Sequence, residues 1–227
     1  MVPTALIFTS VQSVLIFKLL ALVDPDKLSY LGVDFSLQSE EELCAVEQIP
    51  ILSTLINLNS ISLTYNYLKG REKEVNLMNT LRSLPRLYKL NLSGNTLKEN
   101  THCYATATLR DLVLGNVYPS ADSLRRIGQV CGGTLTHLKL SDNGLNTRLH
   151  GLEDLLLQCR ALVSLDLSGN HLSTERETKR VLDALEGVES TLQSLTLEHN
   201  MFREGERMSI VQVMSRFASL TELFLVG

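Results

Sequence analysis

Apolar residues recur along this chain in a fixed phrase rather than in simple alternation. In "LVSLDLSGNHL", which starts at Leu162, leucine fills the first, fourth, sixth and eleventh places and Asn170 the ninth. The fourth and sixth places share one face of a strand, because side chains two residues apart point the same way. The phrase returns as "LYKLNLSGNTL" from Leu87, "LTHLKLSDNGL" from Leu135 and "LQSLTLEHNMF" from Leu192. It also returns as "LNSISLTYNYL" from Leu58, with Ile61 in the fourth place. "LRDLVLGNVYP" from Leu109 carries Val117 at the ninth place and Pro119 at the eleventh. "LTELFLVG" from Leu220 stops before the ninth place, and "LSYLGVDFS" from Leu28 is a worn copy. Successive starts are 30, 29, 22, 26, 27, 30 and 28 residues apart. A period of this size implies stacked units, none of which can bury its apolar face alone.

The intervening segments carry helix signals. "SEEELCAVEQI" offers Ser39 and Glu42 in capping-box relation. "STERETKRVLDALEGV" offers Thr174 and Glu177 likewise, then Val181, Leu182 and Leu185 on one face. "REKEVNLMNTLRSL" and "GERMSIVQVMSRF" are amphipathic at helical spacing. The step of 22 from Leu87 to Leu109 leaves no room for a long helix, so a loop or short 3₁₀ segment through "ENTHCYATA" is expected.

The N-terminal stretch "MVPTALIFTSVQSVLIFKLLALVDPDK" is apolar, but it has no basic leader, Lys18 interrupts it, and no A-x-A site follows cleanly. Val11, Val14, Leu15, Lys18, Leu19 and Leu22 fit helical spacing. Residues 10–23 are therefore expected to form the outer helix of a first, imperfect repeat, with "ALIF" a candidate strand before it. One domain over 1–227 is expected, with degenerate repeats or a cap over 1–57 and regular repeats over 58–227, the last incomplete. That last unit would leave Leu220, Leu223 and Leu225 on an open edge, to be covered by more chain or by a partner.

The phrase resembles the leucine-rich repeat, L-x-x-L-x-L-x-x-N-x-L, well over Leu58 to Leu225 and weakly over Leu28 to Leu55. The forms "GGTLTHLKLSDNGL" and "ESTLQSLTLEHNMF" are most similar to the ribonuclease-inhibitor type, which also includes Ran GTPase-activating proteins, tropomodulin-like proteins and NOD-like receptors. The resemblance implies an α/β solenoid of about seven to eight repeats, curved, with a parallel sheet on the concave face and helices on the convex face. Such a fold serves many unrelated tasks. Asn66, Asn95, Asn143, Asn170 and Asn200 are expected to form a structural ladder. The chain bends away from the strand there, and a side-chain amide has two donors and an acceptor for backbone groups that lose their partners.

Composition narrows the function. With 44% hydrophobic and 20% charged residues the chain should be ordered. A net charge of -4, without a basic run, gives no electrostatic footprint for nucleic acid. Cys103, Cys131 and Cys159 are 28 residues apart, one repeat each, which is the periodicity of core positions rather than of a metal site. With Cys44 they make four cysteines and no cysteine-rich cap, pointing to an intracellular protein, cytoplasmic or cytoskeleton-associated. No nucleophile elbow, P-loop or dinucleotide fingerprint is present, so neither a catalytic residue nor a cofactor is expected. Two classes stay open. One is a protein-interaction scaffold within a larger assembly, ciliary, cytoskeletal or other, with Lys89, Asp111, His137, Lys139, Asp166 and Glu198 as polar contacts. The other is a Ran-type GTPase activator working from the solenoid rim.

Overall fold

The structure, a computed structural model, describes residues 4–11, 13–34, 50–66, 68–69 and 75–225. Among the described residues nine strands lie in chain order in one sheet, each parallel to the next. They are β1 (Thr4–Thr9), β2 (Leu28–Asp34), β3 (Ser60–Ser62), β4 (Lys89–Asn91), β5 (Asp111–Val113), β6 (His137–Lys139), β7 (Ser164–Asp166), β8 (Ser194–Thr196) and β9 (Glu222–Phe224). Fourth-place residues face one another across every pair, from Leu31 against Ile61 to Leu195 against Leu223. The eight starts from Leu28 to Leu220 supply β2 to β9. β1, the "ALIF" segment, pairs with β2 through Leu6 and Leu31. Only the Leu6 and Phe8 alternation of the phrase survives there, with Val11 in the ninth place.

The apolar places do what burial requires. Leu162, Leu165, Leu167 and Leu172 are all within 1% of complete burial, and their equivalents form one continuous core. The backbone is paired beyond the short strands. From β3 to β8 the carbonyl preceding the strand accepts two successive N–H groups of the next turn: Tyr88 from Arg110 and Asp111, Arg110 from Thr136 and His137, Val163 from Gln193 and Ser194. At the other end of the strand the residue in the eighth place is left-handed wherever it is described, at Ser10, Tyr65, Gly94, Asn116, Asp142, Gly169 and His199. That single reversal of φ turns the chain out of the sheet. Asn, Asp, His and Gly tolerate it, whereas Tyr65 at φ 51 is an uncommon occupant.

An asparagine follows five of these reversals, those at Tyr65, Gly94, Asp142, Gly169 and His199. Asn170 donates to the carbonyls of Leu140 and Leu167, both at 2.9 Å, and accepts from the N–H groups of Asn143 and Leu145. Asn200 repeats this one turn later, donating to Leu167 and Leu197 and accepting from Asn170 and Leu172. Asn143 donates to Leu114 and accepts from Val117 and Tyr118. Asn95 donates to Leu63 and Leu92, and Asn66 to Val33. Val117, fully buried, interrupts the series.

Outside the sheet lie α1 (Ser13–Leu20), α2 (Pro50–Ser53), α3 (Val75–Ser83), α4 (Ala121–Cys131), α5 (Leu149–Leu156), α6 (Glu175–Leu185) and α7 (Glu204–Met214). Thr174 and Glu177 form the expected capping box of α6. The 22-residue step is closed by a 3₁₀ segment, Lys98–Tyr104, whose Tyr104 is fully buried and fills space that helices fill elsewhere. Gly151 brings α5 onto α4, since a Cβ there would lie 2.4 Å from the Cα of Ala121. Cys131 and Cys159 are buried free thiols, their pKa pushed up to about 12 by desolvation; Cys103 is half-buried.

α1 buries Ile16 and Leu20, while Leu15 and Leu19, and Leu22 beyond its end, are exposed. The helix is apolar nearly all round, so spacing alone cannot choose its inner face. The Ser39 helix, Cys44, Phe35 and Tyr67 lie outside the described residues.

Candidate interaction surface

Alternation sends the third and fifth places of each phrase to the concave side. Small side chains leave that side at its N-terminal end. Ser60 and Ser62 are buried, and Gly32 is closed over by the Tyr30 ring, whose Oη would lie 3.2 Å from an added Cβ. From β4 onward the third and fifth places are half-buried or exposed and mostly polar, with Val113 and Phe224 the apolar members.

The six expected contact residues are not six independent charges. Lys89 and Asp111, opposite each other in register, form an ion pair with Nζ 2.5 Å from Oδ2. Lys139 and Asp166, likewise opposite, form another at 2.8 Å. His137 lies between the two pairs in β6, exposed, with Nδ1 3.0 Å from the Thr136 hydroxyl. Glu198 stands apart, half-buried and two residues past the end of β8, where its carbonyl accepts from Gly169.

Asp166 has a second task. Its Oδ1 accepts from the N–H and the hydroxyl of Ser168, at 2.9 and 2.6 Å, tying off the strand end. Burial alone would raise its pKa, but hydrogen bonds from Lys139 and Ser168 outweigh burial and hold the carboxyl below its ordinary value. Asn91 holds Ser93 by the same two bonds. Aromatic side chains are also presented here and at the rims: Phe224, Tyr65, Tyr118 and Tyr88 are each between 43% and 46% exposed. Their signal was position, since Tyr65 and Tyr118 occupy left-handed turns and Tyr88 precedes a strand.

On the convex side His102 accompanies Ser123, with Nδ1 3.0 Å from Oγ, and its Nε2 lies 3.7 Å from the Cys103 sulfur. Burial, then the nearby Arg126, lowers the His102 pKa. Arg180 of α6 holds Glu153 of α5 through both carboxylate oxygens. Among the described residues no group of three His, Cys, Asp or Glu side chains could hold a metal ion, and no helix is long and apolar enough to cross a membrane.

A parallel sheet of short strands, an asparagine ladder and an outer layer of helices define a leucine-rich repeat protein. Residues 78–203 match the sequence model of the family described as Zer-1-like, leucine-rich repeats, more than half of this chain. The chain belongs to that family. Among solved structures it is similar to LegL7 from Legionella pneumophila, with TM-score 0.65 and 21% identity over 97% of this chain and 73% of that one. It is similar to human 5T4, trophoblast glycoprotein, with TM-score 0.59 and 20% identity over 90% of this chain and 72% of that one. An internalin, inlF from Listeria monocytogenes, gives TM-score 0.51 and 18% identity over 92% of this chain. The chain spans 57% of that internalin's length. At such identities the likeness shows the fold alone. No curated protein sequence matches the chain.

Proposed function

We propose that this chain is a non-catalytic interaction module that binds a protein partner through its concave face, within a larger assembly. The leucine-rich repeat family supports an interaction scaffold. The observation that supports the concave face is the row of in-register polar side chains on β4 to β8, fixed from behind by the buried leucines and the asparagine ladder. Such a surface is pre-organised, which lowers the ordering cost of association. Lys89, Asp111, His137, Lys139, Asp166 and Glu198 are its proposed polar contacts.

The test is recovery of associated polypeptides with the intact protein from its own cells, repeated for Lys139→Glu, Asp166→Lys and the two together. Each single reversal should reduce recovery of a partner. The exchanged pair should regain the cross-strand attraction and the melting temperature without regaining the partner. Retention of every partner through all three variants would remove the concave face from the proposal.

A further inference from the structure

At the rim where strands begin, Pro85, Arg86, Tyr88, Thr108, Arg110 and Thr134 line an open depression of about 480 Å³. It spans three turns, because Arg86 and Tyr88 flank Leu87, Arg110 follows Leu109, and Thr134 precedes Leu135. Its two charges are both positive, on a chain whose net charge is -4. Arg86 donates to the neutral amide oxygen of Asn57. Arg110 is exposed, and among the described residues its side chain has no hydrogen bond or ion pair. Asp111, the carboxylate next to it in sequence, is held by Lys89 on the concave side.

The hydroxyls in the depression are already committed as donors. Thr108 Oγ1 donates to the carbonyl of Leu87 at 2.6 Å. Thr134 Oγ1 donates toward the carbonyls of Leu109 and Cys131 at 2.7 and 3.0 Å. Thr108 Oγ1 also lies 3.0 Å from Thr106 Oγ1, which then donates to it, so one lone pair on Thr108 and those on Thr134 are left for the donors of a ligand. A guanidinium fork matches carboxylate and phosphate alike. The remaining acceptors distinguish them, since a fully ionised phosphate brings no donor. The free acceptors suit the N–H groups of a peptide backbone, and the Tyr88 ring offers it an apolar bed.

We propose that this depression binds an acidic peptide segment in extended conformation, its carboxylates on Arg86 and Arg110 and its backbone N–H groups on Thr108 and Thr134. The site is separate from the concave row, so the two readings can fail independently. The test is fluorescence anisotropy of a labelled peptide of alternating Asp and Ser, titrated with the full chain at low salt. A peptide with Asn for every Asp runs beside it, and inorganic phosphate and acetate serve as competitors. The Asp peptide should bind saturably and the Asn peptide should not. Arg110→Gln, which breaks no internal contact, should weaken binding, and the Arg86→Gln, Arg110→Gln double variant should weaken it at least about tenfold. Lys179→Gln on α6, outside both surfaces, should leave it unchanged. Absence of saturable binding, equal binding of the Asn peptide, or full affinity in Arg110→Gln with an unchanged melt would overturn the site. Displacement by phosphate where acetate has no effect would overturn its assignment to carboxylates.

Discussion

The units that begin at Leu135, Leu162 and Leu192 and the pair that begins at Leu87 and Leu109 build the same inner strand against different outer layers. In the first group an α-helix closes each turn, and Asn143, Asn170 and Asn200 serve one another in unbroken succession. In the second, a 3₁₀ segment closes the turn from Leu87 and Val117 stands where an asparagine would be. Strand register does not change between them: Leu90, Leu112, Leu138 and Leu165 remain opposite one another. The inner phrase fixes the strand and its exit turn. The outer segment only has to fill the volume left behind.

Filling is where the two regions should differ most under mutation. Tyr104→Ala empties the site that replaces a helix, and should cost about 3–5 kcal/mol in chemical denaturation. A loss below about 1 kcal/mol would mean that the 3₁₀ segment collapses onto the core without it. Asn170→Ala, in the unbroken ladder, should cost about 1–3 kcal/mol by leaving buried carbonyls and N–H groups without partners. An unchanged melt would sink the ladder as a source of stability.

Val117→Asn attacks the comparison directly. The carbonyls a new amide would reach, those of Leu92 and Leu114, each accept one ladder amide, from Asn95 and Asn143, whereas Leu167 accepts two, from Asn170 and Asn200. Each keeps a lone pair for a second amide, so the new hydrogen bonds should offset most of the lost apolar burial and the net cost should stay below about 1 kcal/mol. A loss well beyond that would show that the outer layer here leaves no room for the amide.

The smallest effects belong to the concave ion pairs, which lie one in each region. Lys89→Gln and Lys139→Gln should each cost about 0.2–1 kcal/mol at neutral pH, because both lysines are largely solvated. The sign of the pH effect follows from Asp166, whose carboxyl is held below its ordinary value in the folded chain. Stability from that depression is present above the unfolded value and is lost as pH falls through the folded one. The gap between wild type and Lys139→Gln should thus close on acidification. A gap that widened in acid would contradict the pairing.

Most of the sheet was legible in the sequence because its period is carried by side chains that must be buried. Leu, Leu and Asn at fixed places leave little choice of strand, face or turn. β1 was harder, since Leu6 and Phe8 keep the alternation but the ninth place is Val11. The inner face of α1 was not legible, because apolar residues on nearly every side remove the contrast on which periodicity relies. The candidate site was legible only as positions. Sequence puts Lys89, Asp111, Lys139 and Asp166 on the concave side, but their pairing depends on which strands are neighbours and on a register that sets third place against third and fifth against fifth. Arg86 and Arg110 attract no notice in a linear reading, being 24 residues apart, and the stacking of turns alone brings them into one depression.

The 3₁₀ segment also bears on the shape of the whole stack. Strands sit about 4.8 Å apart and packed helices about 8–10 Å apart, so each α-helical unit is a wedge, like a voussoir in an arch. The slimmer unit that carries Lys98–Tyr104 is a shallower wedge. The arch should therefore flatten beside β4 and β5 and tighten again toward β8. A partner lying along it would meet two facets rather than one arc, with the Lys89–Asp111 pair on the flatter and the Lys139–Asp166 pair on the more curved.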